Sequence, residues 1–173
     1  MAAALTAAID LASKSLIFAI LGGGPPPDFN YQDEHVIWVL PGMFRLLCHY
    51  NTGAAFGIFQ GNLFFLLAAS SILVPVVVLL AYHTPEPGAP LWGLGMVLGG
   101  ALGNLWDRLF HVGVRDFLEI INPLTGRNAW PVFNIADVAI IVGVAVYLLW
   151  MIVDSARKRR PVRTADDSHE DGH

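Results

Sequence analysis

Pro90-Leu-Trp-Gly-Leu-Gly-Met-Val-Leu-Gly-Gly-Ala-Leu-Gly-Asn-Leu-Trp-Asp-Arg-Leu-Phe110 is an apolar run long enough to cross a bilayer as one helix. At about 1.5 Å of rise per residue, roughly 20 mostly apolar residues fill the hydrocarbon layer. Gly99, Gly100, Ala101 and Gly103 give this helix a smooth face for close packing against a neighbour. Asn104, Asp107 and Arg108 then crowd into little more than one turn at its end, which exceeds what interfacial anchoring needs. Arg108, one turn beyond Asn104, could hold a carboxylate in its planar fork.

Three further stretches have the same character: Ala3 to Leu21, Asn62 to Tyr82 and Pro131 to Val153. The whole chain of 173 residues is 55% hydrophobic and only 14% charged, with mean hydropathy +0.56, which suits a small integral membrane protein rather than a soluble domain. The expected fold is an α-helical integral membrane protein with four transmembrane helices. It forms one membrane-embedded domain over residues 1–155, followed by a charged, disordered cytoplasmic tail over residues 156–173. The formal charge of -4 comes from acids clustered in Asp28 to Glu34 and in Asp166 to Asp171, and neither cluster argues for nucleic acid. The basic run Arg157, Lys158, Arg159, Arg160 and Arg163 directly follows the last span, where positive charge holds a helix end on the cytoplasmic side. Four spans then place both termini inside, and Gly22 to Gly61 and His111 to Trp130 outside. The first apolar stretch lacks a basic n-region and reads as a retained span rather than a removed signal.

In the first outside segment, Gly22 to Pro27 reads as an irregular linker. His35 to Leu40 and Phe44 to Tyr50 are then rich in Val, Ile, Leu and aromatics around Pro41-Gly42, which suggests a small hairpin, with a surface-lying helix as the alternative. Cys48 is the only cysteine, so no intrachain disulfide forms and the thiol is expected to pack as a small hydrophobe.

Several polar groups could carry chemistry. Asp10 and Lys14 leave one face of the first helix and can neutralise each other as a structural ion pair, with direct catalysis as the alternative. Asn51 opens the small-residue stretch Asn51-Thr-Gly-Ala-Ala-Phe-Gly57, where its amide could grip a peptide backbone; a helix-start turn is the simpler reading. Asp116 and Asp137, with Asn134 one turn before the latter, bracket the last outside segment. If the two acids converge they can share one proton, so that one takes a proton from water while the other polarises a carbonyl, as in an aspartic peptidase. A salt bridge to Arg108 or Arg115 is the alternative for either acid. Arg115, a cation beside Asp116, is expected to lower its pKa. Only His111 accompanies the two acids as a metal ligand, and no HExxH, GxSxG, P-loop or dinucleotide motif occurs, so no metal or cofactor is expected.

Asn51-Thr-Gly-Ala-Ala-Phe-Gly57, Gly99-Gly-Ala-Leu-Gly-Asn-Leu-Trp-Asp-Arg108, Val114-Arg-Asp-Phe117 and Phe133-Asn-Ile-Ala-Asp137, in this order among four spans, resemble lipoprotein signal peptidase, or signal peptidase II. The resemblance implies a bacterial inner-membrane aspartic endopeptidase that removes the signal peptide from prolipoproteins, cutting just before a diacylglyceryl-modified cysteine. It implies four transmembrane helices, a small extracytoplasmic β-cradle and inhibition by globomycin. By motif position it makes Asp116 and Asp137 the catalytic dyad, gives Asn51, Asn104, Arg108 and Asn134 substrate-holding or orienting roles, and matches Asp10 and Lys14 to the family's Asp-x-x-x-Lys element. Asp107 takes a supporting role. The implied partners are diacylglyceryl-modified prolipoproteins and membrane lipids, with the enzyme acting as a monomer and without nucleic acid. Leu11 after Asp10, Arg115, and the long segment Gly22 to Tyr50 depart from the family pattern. The rival from another class is a proton-coupled transporter relaying through Asp10, Lys14 and Asp137, which requires a polar path across the membrane. A catalytically dead homologue that only binds precursors is the third reading.

Overall fold

The computed structural model describes residues 1–23, 36–52, 63–84, 89–111 and 113–158, with the side chains of 63–71 excepted. The expected acidic stretch Asp28 to Glu34, the small-residue stretch Gly53 to Gly57 and the tail from Arg159 onward lie outside the described residues. Helices α1 (Ala2–Ile20), α2 (Leu63–Tyr82), α3 (Leu91–Phe110) and α4 (Ile135–Lys158) alternate with strands β1 (Ile37–Leu40), β2 (Phe44–Asn51) and β3 (Val114–Ile120). α1 and α4 are by length and apolarity able to cross a bilayer. Their outward residues, such as Leu5, Leu16 and Ile20 on α1 and Ile141, Leu149 and Ile152 on α4, are large, apolar and exposed. α1 ends as its sequence suggests: Gly22 takes φ +67, and the Gly23 and Gly22 amides donate back to the carbonyls of Phe18 and Ala19, closing the last turn.

α3 lies at the centre and packs against each of the other helices. Its small residues serve two faces, not one. Gly95 and Gly99 lie against Ala2 and Ala3 of α1, while Gly93 and Gly100 lie against Gly143 and Ala136 of α4. A Cβ at Gly100 would come within 2.6 Å of the Ala136 carbonyl oxygen. The glycines therefore set how closely α1 and α4 approach α3, and with that the separation of any groups the three helices hold between them.

The hairpin is found, with antiparallel β1 and β2 joined through Gly42 at φ +75. A third strand joins it. Residues 114–120, expected as loop, pair antiparallel with β2 in the order β1-β2-β3, with His49 opposite Asp116 and Asn51 opposite Val114. Gly113 permits this, because a Cβ there would meet the Asn51 carbonyl oxygen at 2.6 Å. Asn51 accordingly ends a strand and does not form the start of a helix. α4 begins at Ile135 rather than Pro131, since Phe133 is still bridged to Leu118, and it continues past residue 155 to Lys158. Phe18 and Leu21 of α1 pack with Cys48 and Phe117 and fix the sheet to the helices. Burial pushes the Cys48 thiol up to about 11, as suits a small packed hydrophobe.

Gly100→Val should wedge α3 from α4 and lower stability by about 1–3 kcal/mol, as overpacking does, whereas Gly42→Asn at the exposed turn should change little. Thermal unfolding in detergent reads both.

Candidate active site

The first turn of α4 is capped from two sources. Within Asn134-Ile-Ala-Asp137, the Asp137 amide donates to Asn134 Oδ1 at 3.0 Å and the Asn134 amide donates to Asp137 Oδ2 at 3.2 Å, a reciprocal capping box. From α1, Asp10 Oδ1 accepts the Ala136 amide at 2.9 Å. Both acids meet the positive end of the helix, where negative charge is favoured.

Strand alternation decides the rest. Successive residues of β3 point to opposite faces, so Asp116 and Arg115 part company. Asp116 turns toward α4, where its Oδ1 accepts from Asn134 Nδ2 at 2.6 Å and its Oδ2 accepts from Asn51 Nδ2 at 2.9 Å. Asp137 Oδ1 accepts from Asn104 Nδ2 at 2.9 Å. Asn104 cannot flip: its Oδ1 receives Lys14 Nζ at 2.9 Å and Asn134 Nδ2 at 3.2 Å, both donors, so its nitrogen must face Asp137. Asp116 and Asp137 thus share one cleft of about 220 Å³, with Asn51, Asn104 and Arg108 on its polar wall and Trp130 to Phe133 and Ile140 on its apolar one. Among the described residues the two carboxyl groups are joined through Asn134, not by a direct hydrogen bond.

Arg115 does not lower the Asp116 pKa as expected. It turns to the other face, where its Nε and Nη2 donate to Asp107 Oδ1 at 3.1 and 2.8 Å and its amide donates to Asp107 Oδ2 at 3.0 Å. Arg115 thus clasps a carboxylate of its own, on Asp107. Burial first, and the Asp137 charge second, push the Asp116 carboxyl up to about 7 against the lowering effect of its two asparagine donors. Lys14 lies between Asp10 at 2.7 Å and Asp107 at 3.2 Å, and all three side chains are fully buried. The ion pair expected of Asp10 and Lys14 is present and is extended by a third member. Counting Asp10, Asp107, Asp116 and Asp137 against Lys14, Arg108 and Arg115 leaves one excess negative charge, which one proton on Asp116 cancels.

All the residues singled out in the sequence fall into this connected region, but at different depths. Asn51, Asn104, Arg108, Asp116 and Asp137 line the cleft; Asn134, Asp10 and Lys14 lie behind its wall. Sequence reading missed the Trp130 to Phe133 wall, for which no signal is apparent, and the capping box, which Asn-x-x-Asp before an apolar run does signal.

A family model described as signal peptidase (SPase) II matches residues 2–153. The lipoprotein signal peptidase of Shouchella clausii is 38% identical over 127 residues, covering 72% of this chain and 80% of that protein. The lipoprotein signal peptidase of Moorella thermoacetica is 37% identical over 153 residues, covering 87% and 89%. Among solved structures, a bacterial membrane enzyme determined by the in meso method at 2.3 Å resolution aligns with TM-score 0.72 and 25% identity over 94% of this chain and 92% of its own. A second, at 1.9 Å resolution, aligns with TM-score 0.64 and 24% identity over 88% and 91%, and shares the fold.

Asp107→Leu strands the buried Arg115 guanidinium and should destabilise by about 3–5 kcal/mol. Adding Arg115→Met to Asp107→Leu removes the stranded guanidinium but leaves the buried Lys14 without one of its two carboxylates, so the double variant should recover part of that loss and not all of it; thermal unfolding of both variants measures the difference.

Proposed function

Because this chain belongs to the signal peptidase II family, we propose that it is a membrane aspartic endopeptidase that removes the signal peptide from prolipoproteins, cleaving just before the diacylglyceryl-modified cysteine. The observation that carries this is the pairing of Asp116 and Asp137 in one cleft, each fixed by asparagine amides and both tied to Asn134. The pair holds one proton. Asp116, the more deeply buried, carries it; Asp137, at the first turn of α4 beside the Asn104 amide, is the base.

Asp137 takes a proton from the attacking water while Asp116 donates to the scissile carbonyl oxygen, forming a tetrahedral species. Collapse breaks the C–N bond: the proton held on Asp137 passes to the leaving amine of the lipid-modified cysteine, and one hydroxyl of the diol returns its proton to Asp116 as the carboxyl group forms. Asn51 and Arg108 face the cleft and hold the substrate backbone. Asn104 and Asn134 orient the two acids, and Asp10 and Lys14 brace those asparagines and α4 from behind. No cofactor enters the reaction.

All four helices span the bacterial inner membrane, with both termini in the cytoplasm and the sheet and cleft at the extracytoplasmic face. The basic residues Arg157 and Lys158 at the end of α4 support this orientation. A cysteine carrying diacylglycerol lies at that depth, with its acyl chains left in lipid, and a single chain suffices for the reaction. The gathering of the buried acids and bases at the sheet end of the helices favours a peptidase over a relay across the membrane.

Purified chain in detergent, given a lipidated prolipoprotein, should release the signal peptide and leave the unlipidated precursor uncut. Asp116→Asn and Asp137→Asn should each reduce cleavage by about a thousandfold while staying folded, in the range that removing a general acid or base produces. Near-normal activity in either variant would overturn the dyad. With Asp116 required in its protonated form and pushed up to about 7 in the free chain, kcat/KM should fall as pH rises through about 7, approaching roughly tenfold per unit above it.

A further inference from the structure

A second cleft lies on the face of β3 opposite Asp116, between the sheet-side ends of α1 and α3, with a volume of about 730 Å³. Its polar wall includes Arg115 of β3, Ser15 of α1 and His111 just past α3, with Tyr50 of β2 beside them. Arg115 is more than nine-tenths buried. Asp107 holds the guanidinium from beneath, and Nη1 reaches toward the Ser15 hydroxyl at 3.3 Å. His111 Nδ1 is buried, is 3.6 Å from Asp107 Oδ1 and has no hydrogen-bond partner among the described residues. Among the described residues no carboxylate lines the cleft, and Asp107 is fully buried behind it.

The mouth is apolar. Ala19 and the largely exposed Leu109 and Phe110 border it, continuous with exposed Leu16 and Ile20 on α1. We propose that this cleft seats the phosphodiester headgroup of a membrane phospholipid, its phosphate oxygens accepting from Arg115, Ser15 and His111 and its acyl chains lying along the groove between α1 and α3. Three convergent donors, one of them a guanidinium, suit an oxyanion. The apolar border at a helix end is the depth at which a phospholipid presents that group, and basic crevices between membrane helices are known headgroup sites. A free phosphate satisfies the donors but not the border. The site is separate from the cleft of Asp116, because Arg115 and Asp116 project from opposite faces of one strand. The proposal depends on α1 and α3 standing in the bilayer and not on the peptidase reading, so its test reads lipid retention rather than cleavage.

The full chain is delipidated in detergent, and native mass spectrometry follows retention of phosphatidylglycerol and of diacylglycerol at equal concentration. One phosphatidylglycerol per chain should be retained, and diacylglycerol about tenfold less, as loss of a charge-assisted contact predicts. His111→Leu and Ser15→Val should each reduce phosphatidylglycerol retention several-fold. Ala19→Trp, which narrows the mouth without touching a donor, should do the same. Thermal unfolding, and cleavage activity where it is present, should stay near wild type in all three variants. Equal retention of the two lipids, or retention unchanged in all three variants, overturns the proposal. Complete displacement by millimolar inorganic phosphate overturns the lipid assignment and leaves a free-anion site.

Discussion

The buried ammonium of Lys14 is the interaction on which the arrangement depends. It ion-pairs with Asp10 on its own helix and with Asp107 on α3, and it donates to the Asn104 oxygen. A lone buried charge is costly, and each of these contacts offsets part of that cost. Because Lys14 offers only donors, it also decides which way the Asn104 amide turns, and so presents a nitrogen to Asp137. A charge outside the cleft thereby sets the hydrogen bonding of a carboxyl inside it.

The same economy governs how the fold serves the site. Glycines on two faces of α3 draw α1 and α4 close enough for Asp10 to reach the Ala136 amide and for Asn104 to reach both Asn134 and Asp137. The sheet contributes Asp116 and Asn51 from neighbouring strands, and Arg115 ties β3 to Asp107 on the face away from the cleft. Close packing, capping and charge pairing are thus one construction, with the candidate dyad held between its helical and strand halves.

Much of this was legible in the sequence, since the strongest signals were long and local. Apolar runs bounded the helices to within a few residues, and Pro41-Gly42 marked the hairpin. The i and i+4 spacing of Asp10 and Lys14 announced their pairing. What was not legible depended on strand partners or distant contacts. Residues 114–120 have no alternation of apolar and polar types to betray a strand buried on both faces, with Arg115, Asp116 and Glu119 all inside. Without that strand, Arg115 stands next to Asp116 in sequence and the expected shift of Asp116 has the wrong sign; with it, alternation sends the two groups to separate faces. Motif order brought Asp116 and Asp137 forward as partners, but only the placement of Asn134 between them shows how they are joined.

The bond from the Ala136 amide to Asp10 connects positions 126 residues apart. Synthesis runs from the N-terminus, so Asp10 and Lys14 are made long before α4 exists. Their pairing within one helix gives α1 its own counter-ion in the interval. The first turn of α4, and Asp137 with it, finds its cap on α1 only once nearly the whole chain has been made. The order of biogenesis therefore delays assembly of the cleft until the last helix docks, and a truncated chain would carry the buried charges without the acid they serve.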